Sequence, residues 1–212
     1  MVESTGPAHR GTCIESDPPH WIASSQLLAQ AYSVAASAHG AQRRASDGRY
    51  FLEHVLEVAT LLHEAGFDDE LVAVGLLHDS VERGSLDAEQ LRSRMGASIC
   101  SIVLVLSEDA NIASFDWRKE GLRRQVESAG GLAVTVYAAD KLSDIRGLSR
   151  GIQLRGDGLE ERLGTSVASM IDHYRESVEM IESVRPGSVF LPDLRAGMEQ
   201  LEAELSRVLS VG

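Results

Sequence analysis

The sequence predicts an all-α protein, a bundle of about eight to ten helices. Three observations carry this. From Trp21 onward, apolar residues recur at i, i+3 and i+4 in segment after segment. Gly40 and Gly66 stand where such segments stop, and Asp68 stands where one begins. The one stretch whose β-branched residues admit a strand, LAVTVYAADKLSDIRGLSR over 132–150, is too long for one and turns to helical spacing.

The elements follow in order. Residues 1–19, rich in Pro, Gly, Ser and charge, read as a disordered tail. Helices are expected over 23–40, 51–66 and 69–83, then a short amphipathic helix over 86–96 and another over 97–108. A loop over 109–117 leads to a helix near 116–130 and the long apolar helix 132–150. The glycine-rich 151–164 reads as a mobile loop. Helices near 165–183 and 193–209 follow, with Pro186 and Pro192 between them. Residues 20–212 are expected to form one domain.

Composition sets outer limits. At 43% hydrophobic residues the chain buries a sizeable core. A net charge of -12 argues against a protein that coats nucleic acid. It leaves room for a small anionic substrate, since a local cationic cluster or a metal overrides the global sign. Cys13 and Cys100 lack metal-ligand spacing, and Cys100 in ICSIVLVL reads as a buried thiol. The N-terminal segment lacks the apolar stretch of a signal peptide, and no run is long enough to span a bilayer. A cytoplasmic protein of unspecified oligomeric state is expected.

The chemistry centres on LLHDSVERG, residues 76–84, which places ionisable groups in an apolar helical frame. Adjacent residues sit about 100° apart on a helix, so His78 and Asp79 reach one ion only from its edge. Glu82, one turn on, is expected on the same side. His54 lies in a second apolar frame, LEHVLEVA, and Asp140 ends a third, LAVTVYAAD. A carboxylate in such a place is costly to bury unless paired or bound to a cation. Two imidazoles and two carboxylates suit a divalent ion such as Mn²⁺, Fe²⁺ or Zn²⁺. The bland alternative is that these are separate, hydrogen-bonded core groups. His39 is expected to be structural, bonding the loop after it.

The sequence resembles an HD-domain metal-dependent phosphohydrolase, in particular the hydrolase domain of Rel/SpoT proteins and the small alarmone hydrolases. The matching segments are HGAQRR (39–44), YFLEH (50–54), GLLHDSVE (75–82), MGASICSIV (95–103), RK (118–119) and DKLSDIRGL (140–148), in that order. The resemblance implies an all-α fold and one Mn²⁺ held by His54, His78, Asp79 and Asp140. It implies removal of the 3′-pyrophosphate from guanosine tetra- or pentaphosphate. With it, Glu82 is expected to orient or deprotonate the attacking water. Arg43 and Arg44 would meet phosphate or stack on a base, and Lys141 and Lys119 would hold phosphate. Tyr174 falls where the family packs an aromatic near the nucleoside.

The departures from the family lie on the substrate side. Glu-Asp after the HD pair is here Glu82-Arg83. The basic residue after the arginine pair is Ala45, an asparagine is Asp144, and an arginine before the aromatic is Met170. Arg83 either takes a phosphate or points to solvent at a helix end; beside Glu82 it is expected to lower that carboxylate's pKa. Three readings stand: an alarmone 3′-pyrophosphohydrolase, an HD nucleotidase or phosphodiesterase of other specificity, and a catalytically weak nucleotide-binding regulator. The sequence ends at residue 212, so a fused synthetase domain is not expected.

Overall fold

The computed structural model describes residues 18–154 and 158–209, the side chains of the last two excepted. The tail expected over 1–19 therefore lies outside the described residues, apart from Pro18 and Pro19, and Cys13 lies outside them too. Among the described residues the fold is all-α with eleven helices, and its only β pairing is an isolated bridge between Arg43 and Tyr50. In chain order the helices are α1 (His20–Ala23), α2 (Gln26–His39), α3 (Phe51–Glu64), α4 (Asp69–Leu77), α5 (Ala88–Met95) and α6 (Ala97–Val105). After these come α7 (Phe115–Ala129), α8 (Gly131–Gln153), α9 (Leu159–Leu163), α10 (Val167–Val184) and α11 (Leu191–Leu209).

Local chemistry explains the boundaries. Ser25, Asp68, Asp87, Ser114 and Ser166 each accept a backbone N–H at a helix start. The Ser25 cap divides the helix expected over 23–40 into α1 and α2. Pro192 lies in the first turn of α11 rather than between helices, where its missing N–H costs nothing. The expected loop over 151–164 gives way at both ends: α8 runs on to Gln153, and α9 forms from Leu159.

The largest correction concerns the segment with the HD pair. The helix expected to reach residue 83 ends at Leu77. His78 Nδ1 donates to the Gly75 carbonyl at 2.8 Å, taking the acceptor that the next helical N–H would use. The chain then turns tightly, with Ser80 N on Leu77 O and both Arg83 N and Gly84 N on Asp79 O.

Helix α8 is the axis of the bundle. It is buried over most of its length and packs against α3, α4, α6, α7, α10 and α11. Helices α3 and α4 approach closely at Gly75, where a Cβ would fall 2.7 Å from Leu62 Cδ1. On the far side α11 is pinned to α8 through Glu204, which accepts from Ser149 (2.6 Å), Gln153 (2.6 Å) and Gln200 (2.9 Å). The axis thus presents Asp140 to the two histidines carried by α3 and the end of α4.

Candidate active site

Three elements bring four side chains together. Ligand atoms of His54, His78 and Asp140 all lie within 4.8 Å of one another. Asp140 Oδ1 is 3.3 Å from His54 Nε2 and 3.4 Å from His78 Nε2. Asp79 falls outside that tightest group, yet its Oδ2 faces both imidazoles at 3.7 and 3.4 Å.

The other ring nitrogens fix which atom faces the centre. Because a carbonyl only accepts, His78 Nδ1 carries a proton toward Gly75, so in the neutral ring it is Nε2 that offers a lone pair. That Nε2 is buried and has no hydrogen-bond partner. His54 Nδ1 meets Ser143 Oγ at 2.9 Å, and Ser143 donates onward to Glu57 Oε2 at 3.0 Å. Ser143 therefore accepts from His54, leaving His54 Nε2 as the inward donor of a lone pair. Two neutral imidazole nitrogens and two carboxylates around an unpartnered buried atom fit a divalent cation. Sequence reasoning missed Glu57 and Ser143. The available signal was spacing, since each lies three residues after a ligand candidate on the same helix face.

The charges in this cluster act on one another. Burial raises the Asp140 carboxyl, but Lys141 and the two histidines outweigh it and hold the group well below the carboxylate range. Burial likewise opposes ionisation of Asp79, and His78 and Arg83 overcome it. His78 is pushed well above the ordinary histidine value by Asp79 and Asp140 in spite of burial, while His54 is lowered, chiefly by burial. Glu82 is raised by burial and by Asp79, although Arg83 pulls the other way. The expected lowering of Glu82 by its neighbour is thus outweighed, because burial and a second carboxylate act against it.

A cavity of about 200 Å³ opens beside the cluster. It is lined by Asp79, Asp140 and Glu82 and by five cations, Arg44, Arg83, Arg118, Lys119 and Lys141. Tyr174 lines it too and is buried. Asp144 bridges two of the cations, accepting from Arg44 Nη2 and from Lys141 Nζ at 2.8 Å each. Glu108 bridges two more, Arg118 at 2.9 Å and Lys119, and its N–H donates to Glu82 Oε2 at 2.9 Å. Arg83 is half exposed and sits 3.3 Å from Glu82 Oε1 and 3.8 Å from Asp79 Oδ2. It lies in the turn beyond α4 rather than at the end of a helix, lining the cavity and partly facing solvent.

Of the candidates for substrate contact, Arg44, Lys119, Lys141, Asp144 and Tyr174 share this cavity. Arg43 does not line it: its guanidinium lies over the Tyr50 ring at 3.9 Å and donates to Gly48 O at 2.9 Å. The substituted positions Ala45, Arg83, Asp144 and Met170 all face the same cavity, although they are scattered through the sequence. Glu108 and Arg118 were not singled out from sequence as site residues. His39 is structural as expected, with Nδ1 2.9 Å from Gln42 Oε1.

The fold and site define an HD-domain phosphohydrolase of the metal-dependent kind. The family model described as HD domain matches residues 31–150, and the chain belongs to that family. Mouse guanosine-3′,5′-bis(diphosphate) 3′-pyrophosphohydrolase MESH1 is 33% identical over 129 residues, covering 59% of this chain and 71% of that protein. The zebrafish (Danio rerio) protein of the same name is 34% identical over 133 residues, covering 60% and 72%. A probable GTP diphosphokinase RSH2 of rice is 29% identical over 137 residues, but the match spans only 19% of that longer protein. Two solved structures share the fold. One, described as "A metazoan ortholog of SpoT hydrolyzes ppGpp and plays a role in starvation responses", has a TM-score of 0.69 at 22% identity and covers 83% of this chain and 96% of that one. The other, lmo0812 from Listeria monocytogenes, has a TM-score of 0.61 at 23% identity and covers 69% and 96%. Among the described residues no helix is long and apolar enough to cross a membrane.

Proposed function

We propose that the chain, as a single domain over residues 20–212, is a cytoplasmic metal-dependent 3′-pyrophosphohydrolase acting on guanosine 3′,5′-bis(diphosphate) or a closely related alarmone. The observation that carries this is the convergence of His54, His78, Asp79 and Asp140, the two aspartates lining a cavity whose wall also carries five arginines and lysines. Relatives named as enzymes for that reaction support it.

His54 Nε2, His78 Nε2 and the Asp79 and Asp140 carboxylates would hold the ion, with Mn²⁺ the proposed occupant. When bound, a divalent cation polarises a phosphoryl oxygen and lowers the pKa of water. Glu82 is the proposed base. Its Oε2 is fixed by the Glu108 N–H, and its Oε1, 3.3 Å from Arg83 Nε, is the oxygen that would take the proton of the attacking water. A raised pKa makes it a stronger base, and such help is typically worth about 10²–10⁴-fold. Lys141 and Arg44 would hold the leaving diphosphate, and Tyr174 would lie against the nucleoside.

The test is pyrophosphate release from ppGpp by Mn²⁺-loaded protein, abolished by Asp140→Asn. Release of monophosphate alone from ordinary nucleotides would instead assign an HD nucleotidase. A second reading has its own observation, since Arg83 occupies Glu82 Oε1 at 3.3 Å. Tight nucleotide binding without turnover across several divalent metals would assign a regulatory binding protein.

A further inference from the structure

We infer that phosphates beyond the diphosphate that is cleaved gain no added hold from the cavity, and that Asp144 is what withholds it. The inference rests on the 3′-pyrophosphohydrolase reading and deepens it. Among the described residues, every cation lining the cavity is matched by a carboxylate of the same wall. Arg44 is held by Asp144 at 2.8 Å. Lys141 is held by Asp144 at 2.8 Å and by Asp140 at 2.9 Å. Arg83 faces Glu82 at 3.3 Å and Asp79 at 3.8 Å. Arg118 and Lys119 share Glu108. Five cations stand against five carboxylates, so the wall by itself has no net positive charge.

A bound divalent ion would add positive charge, which the diphosphate that is cleaved takes up. In this wall, among the described residues, a second diphosphate on the same nucleotide finds no cation without a carboxylate partner. To gain one it must open an ion pair, which is costly because Arg44, Lys119 and Lys141 are buried and their partner carboxylates are buried or, for Asp144, partly buried.

Asp144 matters most for two reasons. It bridges Arg44 and Lys141 while standing apart from the ion-binding set, and Lys141 links it directly to Asp140. Arg44 is also confined on its other side. Its guanidinium lies against Gly147, where a Cβ would fall 2.6 Å from Nη1, so it cannot settle deeper to escape Asp144. Replacing Asp144 by its neutral isostere removes one negative charge from between two cations, leaving Arg44 with Asp47 at 3.8 Å and Lys141 with Asp140 at 2.9 Å.

The experiment measures kcat/KM for pyrophosphate release by Mn²⁺-loaded protein from guanosine 3′-diphosphates with a 5′-hydroxyl, mono-, di- or triphosphate. Wild type should show values that fall or vary by less than about threefold along this series. Asp144→Asn should favour the 5′-diphosphate over the 5′-monophosphate by about tenfold, the effect of roughly one unmatched charge at intermediate dielectric. A tenfold rise per 5′-phosphate in wild type would overturn the inference. An unchanged series in a folded Asp144→Asn protein would overturn the role of Asp144. If no member is turned over, the 3′-pyrophosphohydrolase reading fails, and calorimetric binding of GMP, GDP and GTP still decides the selectivity. Equal affinities uphold it, and a steep rise with phosphate number overturns it.

Discussion

At the scale of the residue, the two histidines show how much of a metal site lies outside its ligands. Each imidazole is turned inward by what holds its other nitrogen, the Gly75 carbonyl for His78 and the Ser143–Glu57 relay for His54. Elemental analysis of protein purified without chelator should therefore give about one metal per chain, with His78→Ala losing it. Ser143→Ala should keep the fold but weaken metal binding by about 10–100-fold, since outer partners fix both tautomer and orientation. Equal metal content in wild type and His78→Ala would dismiss the site. Gly147 makes a sharper case, because the hydrogen in place of a side chain is what admits the Arg44 guanidinium. Gly147→Ala should displace Arg44 and raise KM more than it lowers kcat, with a crystal structure of the variant showing the shift. An unmoved Arg44 would count against a seat at this position.

At the scale of the element, hydrophobic spacing made most helices legible, because burial of one face is what the spacing records. The frames around His54 and Asp140 are such cases: both residues sit within helices, as their neighbours predict. The end of α4 was not legible. Leu76, Leu77 and Val81 continue the apolar spacing, yet a side-chain bond from His78 to Gly75 O stops the helix. No propensity pattern contains that bond, because it depends on where the imidazole is drawn by α3 and α8. The cavity wall was half legible. Arg44, Lys119 and Lys141 were found through the resemblance, whereas Glu108 and Arg118 come from a loop and a helix start that only packing brings inward. The close approach of α3 and α4 supports a stability prediction. Gly75→Ala puts a methyl group 2.7 Å from Leu62 Cδ1 and 3.3 Å from Ala59 Cα, and overpacking of this kind typically costs about 1–3 kcal/mol. Denaturant unfolding should show a lower midpoint, and an unchanged one would mean that the two helices part freely.

At the scale of the whole molecule, the bundle surrounds α8 with ionisable groups whose protonation is set by burial, and stability should follow pH accordingly. His173 on α10 is the clearest probe outside the metal cluster. Its Nδ1 lies 2.7 Å from Arg123 Nη1, a group that only donates, so the ring must be neutral with its proton on Nε2. Burial, then Lys141, Lys119 and Arg123, hold its pKa well below the ordinary 6.5. In the unfolded chain the same ring takes a proton near 6.5, so below that pH the unfolded state binds more protons than the folded one. The contribution of His173 is fully present above pH 6.5 and is lost as the pH falls toward the folded value, by at most about 1.4 kcal/mol per pH unit. His39, lowered chiefly by burial, acts in the same direction. His78 acts in the opposite one while no cation is bound, so the comparison must isolate a single ring. His173→Gln does this, because its amide oxygen can still accept from Arg123 and it cannot be protonated. Urea unfolding at fixed steps from pH 7.5 to pH 5 should show the variant losing stability less steeply than wild type below pH 6.5, with parallel curves above it. Parallel curves over the whole range would mean that His173 takes a proton in the folded protein as readily as in the unfolded one, and the Arg123 contact would then not hold the ring neutral.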